Sequence, residues 1–123
     1  MSMTLDSSVP QPIRDYFTAM NAFKSEGIIA SFTNDGLVND IQREFWGRDA
    51  IKRWAEKESV GDHVVTTDFT EVKEHHGSWF ISSAVDGEYD KTGLPNPLIL
   101  TYYFTLDGDQ ISSLIIVGNK PGY

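Results

Sequence analysis

Near residue 60 the spacing of apolar residues changes period, and that change restricts the fold more than any other feature of the chain. Before it, Ile13, Tyr16, Phe17, Met20 and Phe23 recur three and four apart, which lays one apolar stripe along a helix. After it the pattern becomes period two: Leu98, Leu100, Tyr102, Phe104 and Leu106 alternate with Ile99, Thr101, Tyr103 and Thr105, as on a strand. Helices followed by strands define an α+β domain, with helices segregated to one face of an antiparallel sheet. A chain of 123 residues has room for one such core and not two.

Pro10 and Pro12 suit the start of the first helix, where the missing N–H has no partner to lose, and the helix is predicted to run to about Ser25. Gly27 stops it, and Ile28 to Phe32 supplies one or two further helical turns. Asn34-Asp35-Gly36 is a turn signal, and a strand is expected over Leu37 to Ile41. A third helix starts after Gly47-Arg48-Asp49, with Ile51, Trp54 and Ala55 on one side and Lys52, Arg53, Glu56 and Lys57 outside. Long strands follow at about His63–His76, Ser78–Tyr89, Pro97–Asp107 and Gln110–Gly118. His76-Gly77 and Asp107-Gly108-Asp109 are hairpin turns, and Asp90 to Asn96 is a longer loop. The first nine residues read as a flexible N-terminal segment of a single 1–123 domain.

On the last two strands neither face is cleanly polar: Ile99 and Tyr103 oppose the main apolar row, and Ile115 and Val117 oppose Leu114 and Ile116. A sheet covered on both faces has this pattern. One face is expected to cover the helices and the outer face to form a homodimer.

The formal charge of −8 and the scatter of ten Lys and Arg exclude a nucleic-acid binder, which needs concentrated positive charge; Arg48, Lys52 and Arg53 are the nearest thing to a patch. The opening residues lack the basic and apolar regions of a signal peptide, and no stretch nears ~18 apolar residues, so the expectation is a cytoplasmic protein without membrane attachment.

No Cys is present, so thiolate chemistry is excluded. No nucleophile elbow, phosphate loop or dinucleotide fingerprint appears. His63, His75 and His76 read as solvated strand and turn residues, and His75 and His76, adjacent on a strand, would point to opposite faces. No cofactor and no metal is expected. Asp15, Asp49, Asp62, Asp86, Asp107 and Asp109, with Glu56 and Glu58, read as surface acids. Asp40 stands apart. It ends a strand just before Phe45-Trp46 and the helix bearing Trp54, and by itself it reads either as a turn acid or as a base facing a pocket.

Four segments carry a resemblance. Ile13-Arg-Asp-Tyr-Phe-Thr-Ala-Met-Asn-Ala22, Ile29-Ala-Ser-Phe-Thr-Asn-Asp-Gly36, Gly47-Arg-Asp-Ala-Ile-Lys-Arg-Trp54 and Tyr103-Phe-Thr-Leu-Asp-Gly-Asp-Gln-Ile111 occur in the order and spacing of the nuclear transport factor 2-like superfamily. The chain resembles its SnoaL-like and ketosteroid-isomerase-like branch from about Pro10 to Gly118. The resemblance implies a cone-shaped, cystatin-like roll: a curved antiparallel sheet wrapped around three N-terminal helices. In the isomerase-like branch a Tyr on the first helix donates to a developing oxyanion, an Asp at the end of the first strand shuttles the proton, and a third-helix aromatic lines the pocket. Tyr16, Asp40 and Trp54 match these. The branch's second acid, whose raised pKa is a standing example of burial keeping a carboxyl protonated, falls on Tyr102, a phenol that is also a neutral donor at pH 7.

The resemblance thus implies catalytic roles for Asp40, Tyr16 and Tyr102, with Met20, Phe32, Trp46, Trp54, Phe104, Leu114 and Ile116 as the apolar lining. Fold likeness does not decide function. One expectation is a cofactor-independent isomerase, lyase or cyclase acting on a small apolar carbonyl compound. The alternative is a non-catalytic dimer that binds a small ligand or another protein.

Overall fold

The computed structural model describes residues 5–123, and Met1 to Thr4 lie outside the described residues. Helix α1 covers Gln11–Asn21 and α2 covers Ser25–Ala30; β1 (Phe32–Asp40) and β2 (Arg43–Trp46) form a hairpin; α3 (Gly47–Trp54) follows, then β3 (Val65–His75), β4 (Ser78–Asp86), β5 (Leu98–Asp107) and β6 (Gln110–Gly118). The strands make one six-stranded sheet in the order β2-β1-β6-β5-β4-β3. It is curved and unclosed, and the three helices pack on one face, giving the α+β cone.

The sheet departs from the antiparallel expectation at one seam: β1 runs parallel to β6, with Val38 opposite Leu114 and Asp40 opposite Ile116. The other four pairings are antiparallel. The parallel seam arises because the chain crosses by way of α3 from β2, at one edge of the sheet, to β3, at the other, and the β3–β6 meander then returns to lie beside β1.

Helix α1 keeps Ile13, Tyr16, Phe17 and Met20 on its buried side, as the spacing predicts. It ends four residues early, at Asn21. Phe23 takes a left-handed backbone conformation (φ 58°), leaves the stripe, and packs edge-on against His63. At the end of the N-terminal segment Val9 is fully buried, and Arg14 Nε donates to its carbonyl at 2.8 Å.

The turn signal Asn34-Asp35-Gly36 is absorbed into β1 as an irregular stretch, marked by a register shift between Phe32 and Leu37. Backbone groups freed there find other partners: Phe32 O accepts from Arg48 Nη2 (2.6 Å) and from Gln110 Nε2 (3.1 Å). Strand β2 was not expected from the sequence, because its turn residues, Ile41 and Gln42, both have positive φ (50° and 69°) without being Gly or Asn. Of the expected turns, His76-Gly77 is a two-residue hairpin with both residues at positive φ. Leaving the strand at His76 also removes the alternation, so the rings of His75 and His76 lie 4.2 Å apart instead of on opposite faces. His63 sits in the turn before β3 and not on it.

The core is a cluster of edge-to-face aromatics between α1 and the inner sheet face. Phe17 meets Tyr102 (5.0 Å between ring centres) and Phe69 (5.1 Å), and Tyr16 meets Phe104 (5.6 Å). Such pairs add ~0.5–1.5 kcal/mol each to the area they bury. Among the described residues, no helix is long and apolar enough to cross a membrane.

Candidate functional site

One end of the cone is not filled. A cavity of about 220 Å³ opens between α1, the end of α3, the inner faces of β4 to β6 and the loop from Gly87 to Pro97. Tyr16, Asp40 and Tyr102, the three residues matched as catalytic, all line it. They come from α1, the end of β1 and the middle of β5, and they meet because β1 and β5 both flank β6: Asp40 and Tyr102 each stand opposite Ile116.

Asp40 is held by a specific set of donors. Its Oδ2 accepts from Trp54 Nε1 at 2.9 Å and from Arg43 Nη2 at 3.0 Å, and its side chain is only 15% exposed. Among the described residues nothing donates to Oδ1. Burial raises the pKa of Asp40 above the ordinary carboxylate value of 3.8, and the nearby Glu58 charge adds to this; the Trp54 hydrogen bond and the Arg43 charge pull the other way but do not cancel it. The direction is that of a carboxylate made more basic.

Tyr16 and Tyr102 are each about 1% exposed, and neither hydroxyl has a hydrogen-bond partner among the described residues. Their ring centres are 6.3 Å apart. Burial pushes both phenols above 10.0, Tyr16 further through Tyr102 and Asp40, and Tyr102 further through Asp40. Both are therefore neutral O–H donors at neutral pH.

The expected apolar lining divides. Met20, Trp54 and Ile116 line the cavity. Phe32, Phe104 and Leu114 do not: each is fully buried in the core beyond it, where tight packing leaves no free surface. Trp46 is a correction of a different kind. It is 63% exposed and on the outer sheet face, opposite Leu37, because strand alternation turns Phe45 inward instead; the ring of Phe45 then lies tilted beside that of Trp54, with ring centres 6.2 Å apart.

Several lining residues had no signal in the sequence. Arg43 clamps Glu58 with two bonds, Nη1 to Oε2 at 2.9 Å and Nη2 to Oε1 at 2.7 Å, while reaching Asp40. Glu58, expected at the surface, turns to the cavity because α3 continues as a π-helical turn over Ala55–Ser59, closed by Val60 N–H to Ala55 O at 2.8 Å. The wider turn shifts every later side chain away from the 3.6-residue pattern. Ser59, Asp62, Tyr89, Asp90 and Tyr123 complete the mouth, and Asp62 too is thus not a plain surface acid. Among the described residues no cluster of His, Asp and Glu could hold a metal ion.

Comparison of the sequence with protein-family profiles gives no match, and comparison with curated proteins gives none either. Comparison of the fold with solved structures does. A candidate polyketide cyclase from Sinorhizobium meliloti superposes with a TM-score of 0.78 at 24% identity, over 89% of this chain and 96% of that one. SalBIII, an epoxide hydrolase/cyclase-like enzyme of pyran-ring formation in the polyether salinomycin, has a TM-score of 0.72 at 16% identity over 91% of both chains. A protein of ketosteroid-isomerase-like fold from Catenulispora acidiphila, in complex with trimethylamine, has a TM-score of 0.70 at 19% identity, over 88% of this chain and 85% of that one. The fold of this chain is that of the nuclear transport factor 2-like superfamily, in the shape shared by its SnoaL-like and ketosteroid-isomerase-like proteins.

Proposed function

We propose that this chain is a pocket protein performing cofactor-independent acid/base chemistry, of isomerase or lyase type, on a small and largely apolar carbonyl compound. Oδ1 of Asp40 takes a proton from the carbon next to the carbonyl: the C–H bond breaks, an O–H bond forms on Asp40, and the electron pair moves into the enolate. The enolate oxygen accepts hydrogen bonds from Tyr16 and Tyr102. Asp40 then returns the proton to a second carbon in an isomerisation, or the enolate expels a leaving group in an elimination.

The observation that supports this reading best is the asymmetry of Asp40. Trp54 and Arg43 engage Oδ2, while Oδ1 has no donor among the described residues and the carboxyl lines the same cavity as two unpartnered phenols. Solved structures of this fold that are named for cyclase chemistry add to its weight.

Exchange of α-protons for deuterium in propiophenone and cyclohex-2-enone, followed by NMR in D2O, tests it. Wild type should exchange above the buffer rate, and Asp40→Asn should lose that acceleration on the order of a hundredfold or more. An Asp40→Asn protein exchanging at the wild-type rate overturns the proposal. The second reading, binding without turnover, is favoured by the phenol of Tyr102 where the isomerase-like branch has an acid. Its signature is retention of these ketones by wild type with no exchange beyond buffer.

We also infer a homodimer through the outer sheet face. Ile115, Tyr103 and Phe80 lie side by side across β6, β5 and β4 on that face, and Ile115 and Tyr103 are 40% and 37% exposed. An apolar row of this kind on a solvent-facing sheet favours a second copy over water.

A further inference from the structure

The inward row of β6 runs out of side chains before the strand ends. Leu114 fills the core and Ile116 lines the cavity, but the next inward position is Gly118, which stands opposite the cavity-lining Leu100 of β5. A glycine leaves the wall bare there. The ring of Tyr123, five residues further along the chain, covers the gap and lines the cavity in its place.

Several contacts seat that ring. Asn119 extends the pairing with β5: its N–H donates to Ile99 O at 3.1 Å, its Oδ1 accepts from Ile99 N–H at 2.8 Å, and its Nδ2 donates to Pro97 O at 3.2 Å. Lys120-Pro121-Gly122-Tyr123 then reverses the chain. Pro stands second, Gly122 third at φ 85°, and Tyr123 N–H donates to Lys120 O at 2.9 Å, which is the chemistry of a type II turn. The turn lays Tyr123 so closely on β6 that a Cβ added to Gly118 would lie 3.1 Å from Tyr123 Cβ and 3.2 Å from its Cδ2. The ammonium of Lys120 lies over the ring, 5.0 Å from its centre, and adds a cation–π contact.

The place of this wall sets a length. Asp40 and Tyr102 both stand opposite Ile116, and Gly118 lies two residues beyond it on the same strand, roughly 7 Å away. A carbonyl held at Tyr102 therefore has space for one ring before Tyr123 is met. The volume agrees, since about 220 Å³ is below the roughly 300–1,000 Å³ of pockets that take drug-sized ligands.

We propose that Tyr123 is a specificity-determining residue: its ring, seated where β6 has no side chain, limits the cavity to ligands with a single ring on the carbonyl and excludes fused two-ring analogues. The proposal rests on the reading of this cavity as the ligand site, and it does not depend on turnover.

NMR titration of isotope-labelled protein with propiophenone and with its two-ring analogue 2-propionylnaphthalene tests it. Burial of apolar area alone favours the larger ketone. Wild type should show the reverse order, binding propiophenone at least about fivefold more tightly, because the second ring overlaps Tyr123. Tyr123→Ala should invert that order: the naphthyl ketone gains at least about fivefold, while propiophenone loses affinity with the contact that the ring supplied. Tyr123→Phe, which keeps the ring, should retain the wild-type order. The dispersion of the amide spectra verifies that each variant is folded. A wild type that prefers the naphthyl ketone, no binding of either ketone, or a Tyr123→Ala protein in which both affinities fall together overturns the proposal. Size reversal without α-proton exchange removes only the acid/base reading, and exchange without size reversal removes only this one.

Discussion

Asp40 is a carboxylate whose two oxygens have different surroundings, and its proton affinity follows from them. Because burial raises its pKa in the folded chain, the folded state binds a proton more tightly than the unfolded state does. Stability from this group is therefore present below the ordinary carboxylate value of 3.8 and falls as the pH rises through the raised folded value. Asp40→Asn should flatten that part of the pH dependence, so the difference in melting temperature between variant and wild type should move in the variant's favour as pH climbs through this window. Thermal melts across the window check it, and a pH-independent difference contradicts it. The same residue shows what was legible beforehand. That an acid ended β1 could be read from the chain, but its pairing with Arg43 could not, since Arg43 lies on a strand whose turn has no favourable turn residues.

At the scale of elements, the most unusual local structure is the β1–β2 turn. Ile41 and Gln42 both sit at positive φ, a conformation that a branched side chain such as Ile adopts at a real cost. Ile41 is also tied down by its N–H, which donates to Ile116 O at 3.0 Å, and it lines the cavity. The turn is thus kept because it positions Arg43 and Asp40 side by side. Gln42→Gly, which removes side-chain strain without touching the cavity lining, should stabilise the chain by about 1 kcal/mol. Urea unfolding with an unchanged slope and a higher midpoint is the expected result; a lower midpoint would mean that Gln42 makes a contact worth more than the strain. The π-helical turn after α3 is the second such device, and it delivers Glu58, Ser59 and Asp62 to the mouth in a phase no helical periodicity predicts.

For the whole molecule, the unclosed sheet leaves an outer face on which apolar and polar rows alternate. Tyr103 and Phe80 already contact each other there, with ring centres 5.1 Å apart, and Ile115 extends the row onto β6. Sedimentation equilibrium at micromolar concentration should give a dimer for wild type, and Ile115→Lys should give a monomer, because a charge in the middle of an apolar contact has no partner once desolvated. A wild-type monomer under these conditions would remove the dimer. The edges of the sheet support a face-to-face contact over edge pairing, since β3 carries Glu71, Lys73 and Glu74 along an exposed edge.

The matching of Tyr16, Asp40 and Tyr102 rested on the family resemblance, whereas what the amino-acid sequence determined by itself was the order of elements apart from β2, the buried stripe of α1, and the inward row of β5 and β6. These depend on periodicity and on local turn chemistry, which act over a few residues and leave a trace in the chain. Only the tertiary structure decided that Trp46 faces outwards while Phe45 faces in, that Phe32, Phe104 and Leu114 fill the core and not the cavity, and that Arg43, Glu58, Ser59 and Asp62 surround the mouth. Those outcomes depend on a two-residue turn in a strained conformation, on one helical turn of wider pitch, and on a parallel seam between strands some seventy residues apart. Each is stabilised by contacts made after the chain has folded, so no local pattern of residues records it.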